Sequence, residues 1–245
     1  MQVVHERVTV PVGPLSMPAY LARPTAPGVY PAVLVFMEIF GVNHHIRSVA
    51  DRIAAEGYVA LALDVFHRTA PGIELKYDAD GLARGIELMS KVTTTEAMAD
   101  VAGALAYLAK RPEVGGRGAG AMGFCFGGHL AYLSACEQPI AAAASFYGGG
   151  IAVGSPGNDG PPTIARTPKI RARMLCLFGE NDGYIPKEHV VAIRDALAAA
   201  NVRHEVVVYP QVGHGFFCDE RADYDAASAD DAWARVTALF RSELA

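Results

Sequence analysis

The sequence predicts an α/β protein, a mostly parallel sheet covered by helices on both faces, and three observations predict it. Short apolar or β-branched runs alternate with longer segments of helical period along the chain, the pattern of a sheet layered between helices. Runs such as Ala32-Val-Leu-Val-Phe-Met37 lack polar alternation, as strands buried on both faces do. A length of 245 residues with 51% hydrophobic and 19% charged residues suits one well-cored unit, so residues 1–245 are expected to form a single domain.

In chain order, strands are expected near Val3–Val10, Ala19–Ala22, Ala32–Met37, Val59–Leu63, Gly120–Gly123, Ala141–Phe146, Met174–Phe178 and His204–Tyr209. Helices are expected at about Ile46–Glu56, Ala97–Lys110, Gly127–Cys136, His189–Ala200 and Ala226–Leu239. In the last of these, Ala229, Trp233, Val236, Leu239 and Phe240 recur every three or four residues and form an apolar face for the core. Gly148 to Pro168 is rich in Gly and Pro and reads as a long surface loop near a site.

The charge balance excludes some function classes. With 26 acidic against 21 basic residues and a net charge of −5, the chain lacks the basic footprint of a nucleic-acid binder. Glu6 and Arg7 interrupt the start where a secretory signal needs an apolar core, and no run reaches the ~18 apolar residues of a membrane span. A cytoplasmic protein without membrane association is expected. Cys125, Cys136, Cys176 and Cys218 form no C-x-x-C pair, so reduced thiols are expected.

The chemistry is concentrated in Gly120-Ala-Met-Gly-Phe-Cys-Phe-Gly-Gly128. A cysteine between a strand and a helix, with glycines at −2, +2 and +3, is the nucleophile-elbow pattern with Cys in place of Ser. The turn is so tight that side chains at the glycine positions would collide with backbone. Cys125 would stand at a helix N-terminus, where the dipole favours a thiolate and the Phe126 N–H can face an oxyanion. Cys136 and Cys176 read as small core residues. Downstream, Phe178-Gly-Glu-Asn-Asp-Gly183 and Tyr209-Pro-Gln-Val-Gly-His-Gly215 each follow a strand. They supply Asp182 and His214 in the order nucleophile, acid, histidine of α/β-hydrolases.

With these residues in place, the chain resembles the dienelactone hydrolases of the α/β-hydrolase superfamily over nearly its whole length. The matching segments are Met37-Glu-Ile-Phe-Gly-Val-Asn43, Gly123-Phe-Cys-Phe-Gly-Gly128, Phe146-Tyr-Gly148, Gly179-Glu-Asn-Asp182 and Gly213-His-Gly-Phe216. The resemblance implies an α/β-hydrolase fold, with Cys125 as nucleophile, His214 as base and Asp182 as its orienting acid. It also implies an oxyanion hole from the backbone N–H groups of Ile39 and Phe126, and Glu38 as an extra carboxylate beside the thiol. Such a carboxylate should oppose thiolate formation, which suggests a resting thiol that ionises when substrate displaces or re-pairs Glu38. Tyr147 and Phe216 are the pocket-wall residues that the family match implies.

The departures concern substrate. Family members acting on dienelactone hold its carboxylate with two arginines, and hand alignment places Leu82 and Cys218 at those positions. Arg84 is the nearest substitute and enters as a candidate substrate-binding residue, with Arg221 as another. The expected reaction is hydrolysis of an ester or lactone through a thioester, with an uncharged, partly aromatic pocket and no cofactor. The alternatives are a thioesterase or promiscuous phosphoester hydrolase on the same residues, a lactone receptor without turnover, and a redox-sensing thiol protein. Oligomeric state is not readable from the sequence.

Other patterns carry less. Gly118-Ala-Gly-Ala-Met-Gly123 fits G-x-G-x-x-G but forms the strand itself, and no acid stands about 20 residues on. His44-His45 are adjacent at a helix start and cannot face one ion without further ligands, so no metal is expected. His129 reads as a helix-packing residue.

Overall fold

The strands Ala32–Phe36 (β3) and Val59–Leu63 (β4) are apolar at every position and buried at every position, which places them inside the sheet. A computed structural model describes all residues, Met1–Ala245. The remaining strands are β1 (Val3–Val12), β2 (Leu15–Pro24), β5 (Ala119–Phe124), β6 (Ile140–Phe146), β7 (Arg173–Gly179) and β8 (His204–Tyr209). They form one eight-stranded sheet in the order β1-β2-β4-β3-β5-β6-β7-β8. The β1–β2 and β2–β4 pairs are antiparallel and all others parallel, as expected from the unbroken apolar runs.

Six α-helices cover the sheet: α1 (His44–Ala55), α2 (Ala79–Met89), α3 (Thr94–Leu108), α4 (Phe126–Glu137), α5 (Lys187–Ala199) and α6 (Ala226–Leu244). Side-chain alternation along β5 separates the two layers. A Cβ on Gly120 would meet Phe240 and Leu244 of α6, whereas one on Gly123 would meet the backbone of α4. Positions an odd number apart on a strand face opposite ways, so α4 and α6 lie on opposite faces. No helix is long and apolar enough to cross a membrane.

Several helical details differ from the sequence reading; α6 runs on to Leu244, past the expected Leu239. α3 begins at Thr94, three residues before the expected Ala97, because Thr93 and Glu96 make a reciprocal capping box. α2 was not expected at all. Gly81 and Gly85 weaken its apolar period, yet both are required: a Cβ on Gly81 would lie 2.0 Å from the Lys76 carbonyl oxygen, and one on Gly85 would lie 2.5 Å from that of Ile39. The Gly148–Pro168 loop contains two short 3₁₀ turns, Pro156–Asn158 and Thr163–Lys169.

The sheet order sets the location of the site. The chain leaves β3 for β4 on one side and later returns to β5 on the other, a topological switch point at which α/β sheets place ligands. The segments following β3 and β5 flank that crevice.

Candidate active site

Cys125 caps α4 with φ +54° and ψ −117°, a conformation that costs a non-glycine residue about 1–3 kcal/mol. Its surroundings enforce it. The Cys125 N–H donates to the Phe146 carbonyl at 3.0 Å, and its own carbonyl accepts from the His129 N–H at 3.2 Å. The flanking glycines fit the steric expectation. A Cβ on Gly123 would lie 2.1 Å from the Gly127 oxygen, one on Gly127 would lie 2.4 Å from the oxygens of both Phe36 and Met37, and one on Gly128 would lie 2.4 Å from that of Phe146.

The two loops at the far side of the sheet are joined backbone to backbone. A Cβ on Gly179 would lie 2.4 Å from the Val212 oxygen, and the Asn181 N–H donates to that same carbonyl at 2.9 Å. Asp182 and His214 are both buried. The Tyr184 N–H donates to Asp182 Oδ1 at 2.8 Å, and His214 Nδ1 lies 2.7 Å from Asp182 Oδ2. An ionised carboxylate only accepts, so Nδ1 carries a proton and donates, which fixes the ring with Nε2 on the side away from Asp182.

Burial alone would lower the pKa of His214, but the charged form of the Cys125 sulfur and the Asp182 carboxylate together push it up to about 10 from its ordinary 6.5. The stabilisation from this raised group is therefore complete below about pH 6.5 and is lost as pH rises through about 10. We expect the urea midpoint of the chain to fall between pH 7 and about pH 10, and to fall less in His214→Asn. Equal pH profiles for the two proteins would contradict the assignment.

Glu38 is fully buried after β3. Arg221 Nη1 donates to its Oε1 at 2.9 Å, and the Tyr77 hydroxyl donates to its Oε2 at 3.0 Å. The carboxylate is thus countered by a guanidinium before any substrate arrives, and its expected brake on the Cys125 thiol is weaker than its charge alone implies. Removing one partner of a buried pair leaves an uncompensated charge, a loss of about 3–5 kcal/mol. Arg221→Met should therefore lower unfolding free energy by roughly that amount, and adding Glu38→Gln should restore most of it. Additive losses in urea titrations would show that the two residues are not coupled.

Cys125, Phe126, His129, Ile39, His214 and Arg221 all line one cavity of about 480 Å³. Leu82, Ile86 and Met89 of α2 also line it, as do residues between Gly149 and Asn158. The Ile39 N–H donates to no protein acceptor, and Phe126 N–H belongs to the first turn of α4, where helical partners are missing.

Some expected residues lie elsewhere. Arg84 is paired with Glu87 on the exposed side of α2 and is not in the cavity wall; the cation in the wall is Arg221. Tyr147 and Phe216 are fully buried and do not line the cavity, because both pack behind it. The Tyr147 ring stands edge-on to His214 at 5.0 Å, and Phe216 stands 5.3 Å from Tyr147. His129 packs as expected, with Nε2 2.7 Å from Thr163 Oγ1, but it also reaches the cavity. The sequence reading missed Tyr77 and the apolar wall of α2, since no motif marks either.

A switch-point crevice, a strained cysteine elbow and an Asp–His pair behind it define an α/β-hydrolase. Comparison with known proteins narrows the class. The model of the dienelactone hydrolase family matches residues 17–244. A Synechocystis sp. protein named "Putative carboxymethylenebutenolidase" is 44% identical over 237 residues, covering 97% of this chain and 96% of that protein. The crystal structure of a "Putative Dienelactone Hydrolase" from Klebsiella pneumoniae superposes with a TM-score of 0.89 at 35% identity, covering 98% of this chain and 99% of that one. A dienelactone hydrolase-like promiscuous phosphotriesterase from metagenomic libraries superposes with a TM-score of 0.80 at 25% identity, over 99% of both chains. The chain belongs to the dienelactone hydrolase family.

Proposed function

We propose that the chain hydrolyses a neutral carboxylic ester or lactone by acyl transfer to Cys125, with His214 and Asp182 completing a triad. The observation that carries this reading is the Asp182–His214 hydrogen bond of 2.7 Å, which fixes the ring of a histidine that lines the same cavity as Cys125. His214 Nε2 accepts the thiol proton, and the thiolate attacks the carbonyl carbon. The tetrahedral oxyanion is held by the N–H groups of Ile39 and Phe126, and His214 returns the proton to the leaving alkoxide. Water, deprotonated by the same imidazole, then hydrolyses the thioester and releases the acid.

The cavity supports a neutral substrate. Its one guanidinium, Arg221, is held by Glu38, so an anionic substrate seeking it would have to compete with a buried carboxylate. The wall from α2 is aliphatic, which favours an apolar group flanking the scissile carbonyl. A second reading is hydrolysis of neutral phosphotriesters on the same nucleophile; the metagenomic relative's name motivates it. The test is p-nitrophenyl acetate turnover together with intact-mass analysis of a rapid quench. A burst of nitrophenol with one acetyl group on Cys125 is expected. Turnover with no adduct mapping to Cys125, or no turnover on any ester, lactone or phosphotriester tried, would overturn the reading.

A further inference from the structure

His45, at the start of α1, finds further ligand atoms beside it only after folding. His45 is 4% exposed, and its Nε2 is buried without a hydrogen-bond partner. A buried donor or acceptor left unpaired costs about 1–3 kcal/mol, so an orphaned imidazole nitrogen calls for a ligand. Its ring is held edge-on by Phe124 and Phe217 at 5.5 and 6.2 Å, so it cannot swing out to water without disturbing the core.

The segment that follows His214 brings up two more donors. Cys218 is fully buried and Asp219 is exposed, and one ligand atom from each of His45, Cys218 and Asp219 lies within 4.8 Å of the others. Imidazole, thiolate and carboxylate together suit a borderline-soft ion such as Zn²⁺ and disfavour Mg²⁺ or Ca²⁺, which take oxygen. Three protein ligands leave a fourth position for water.

We propose that His45, Cys218 and Asp219 form a binding site for a divalent transition-metal ion, with Co²⁺ and Zn²⁺ as the probes. Binding replaces the Cys218 S–H bond with an S–metal bond and releases that proton to solvent. The thiolate and carboxylate then balance the charge of the ion. Asp219, at the surface, gives the ion its way in. An occupied site would tie the chain beyond His214 to the first turn of α1. It would also act on the pair described above, because the Arg221 N–H donates to the Cys218 carbonyl at 3.1 Å and the Arg221 guanidinium donates to Glu38. The site is independent of the hydrolase reading, and either can fail without the other.

The experiment titrates metal-stripped full-length Cys125→Ala with Co²⁺, so that the thiol and imidazole of the catalytic cavity cannot bind the ion together. One equivalent should produce a thiolate-to-cobalt charge-transfer band with intense visible bands of tetrahedral Co²⁺, and Zn²⁺ should abolish both. Adding Cys218→Ser should remove the charge-transfer band. Adding Asp219→Asn, a surface change that leaves the core intact, should weaken binding by roughly tenfold or more, as should His45→Phe. Circular dichroism establishes that each variant is folded. A band that persists in Cys218→Ser, a band present in the wild type but absent in Cys125→Ala, or an affinity unchanged by the His45 and Asp219 substitutions would each overturn the site.

Discussion

Cys125→Ala is expected to lower ester turnover by about 10⁴-fold or more while leaving the fold intact. The argument has two parts. Alanine retains the Cβ, so the left-handed backbone at φ +54° is no more strained than before, and unfolding free energy should change by less than about 1 kcal/mol. What disappears is the only thiol in the cavity wall, and with it covalent catalysis. The variant has a second signature. His214 owes part of its raised pKa to Cys125, so its imidazole should titrate lower in the variant, measurable by NMR of the ring carbons. Equal turnover by both proteins, after correction for spontaneous hydrolysis, would place the nucleophile elsewhere.

Gly127→Ala is expected to destabilise the chain by about 4 kcal/mol or more. Helix propensity alone argues the other way, since alanine inside a helix gains about 1 kcal/mol over glycine. Sterics decide the sign. The new methyl would lie 2.4 Å from two carbonyl oxygens at the end of β3, and those belong to a central strand paired on both sides, with no flexible side chain to give way. Gly183→Ala provides the control, because nothing lies within 4 Å of its Cβ. A urea midpoint for Gly127→Ala equal to that of the control would mean that the elbow glycines are not there to let α4 approach β3.

The strands were legible because their signal is local: β3 and β4 read as unbroken apolar runs, and that pattern survives into the buried sheet. The elbow was legible for a different reason, since glycines at fixed offsets from a cysteine have few other uses. Asp182 and His214 could be named because each follows a strand end in a fixed chain order. α2 was not legible, as its two glycines serve contacts with Lys76 and Ile39 that only the folded chain contains. Arg84 is the sequence's nearer stand-in for a substrate-holding arginine because it follows Leu82 by two positions, but proximity along the chain says little about which cation reaches the cavity, where Arg221 stands. Tyr147 and Phe216 were assigned to the wall, yet they brace His214 from behind, a distinction that depends on side-chain depth and not on order.

The contact between Gly85 and the Ile39 carbonyl ties selectivity to speed. The helix that lines the cavity leans directly on the peptide next to the Ile39 amide, with no cushion between them. A bulkier residue at position 85 would push the aliphatic wall outward and tilt the amide at once. Lineages that widen this pocket through α2 would therefore be expected to lose rate in the same step.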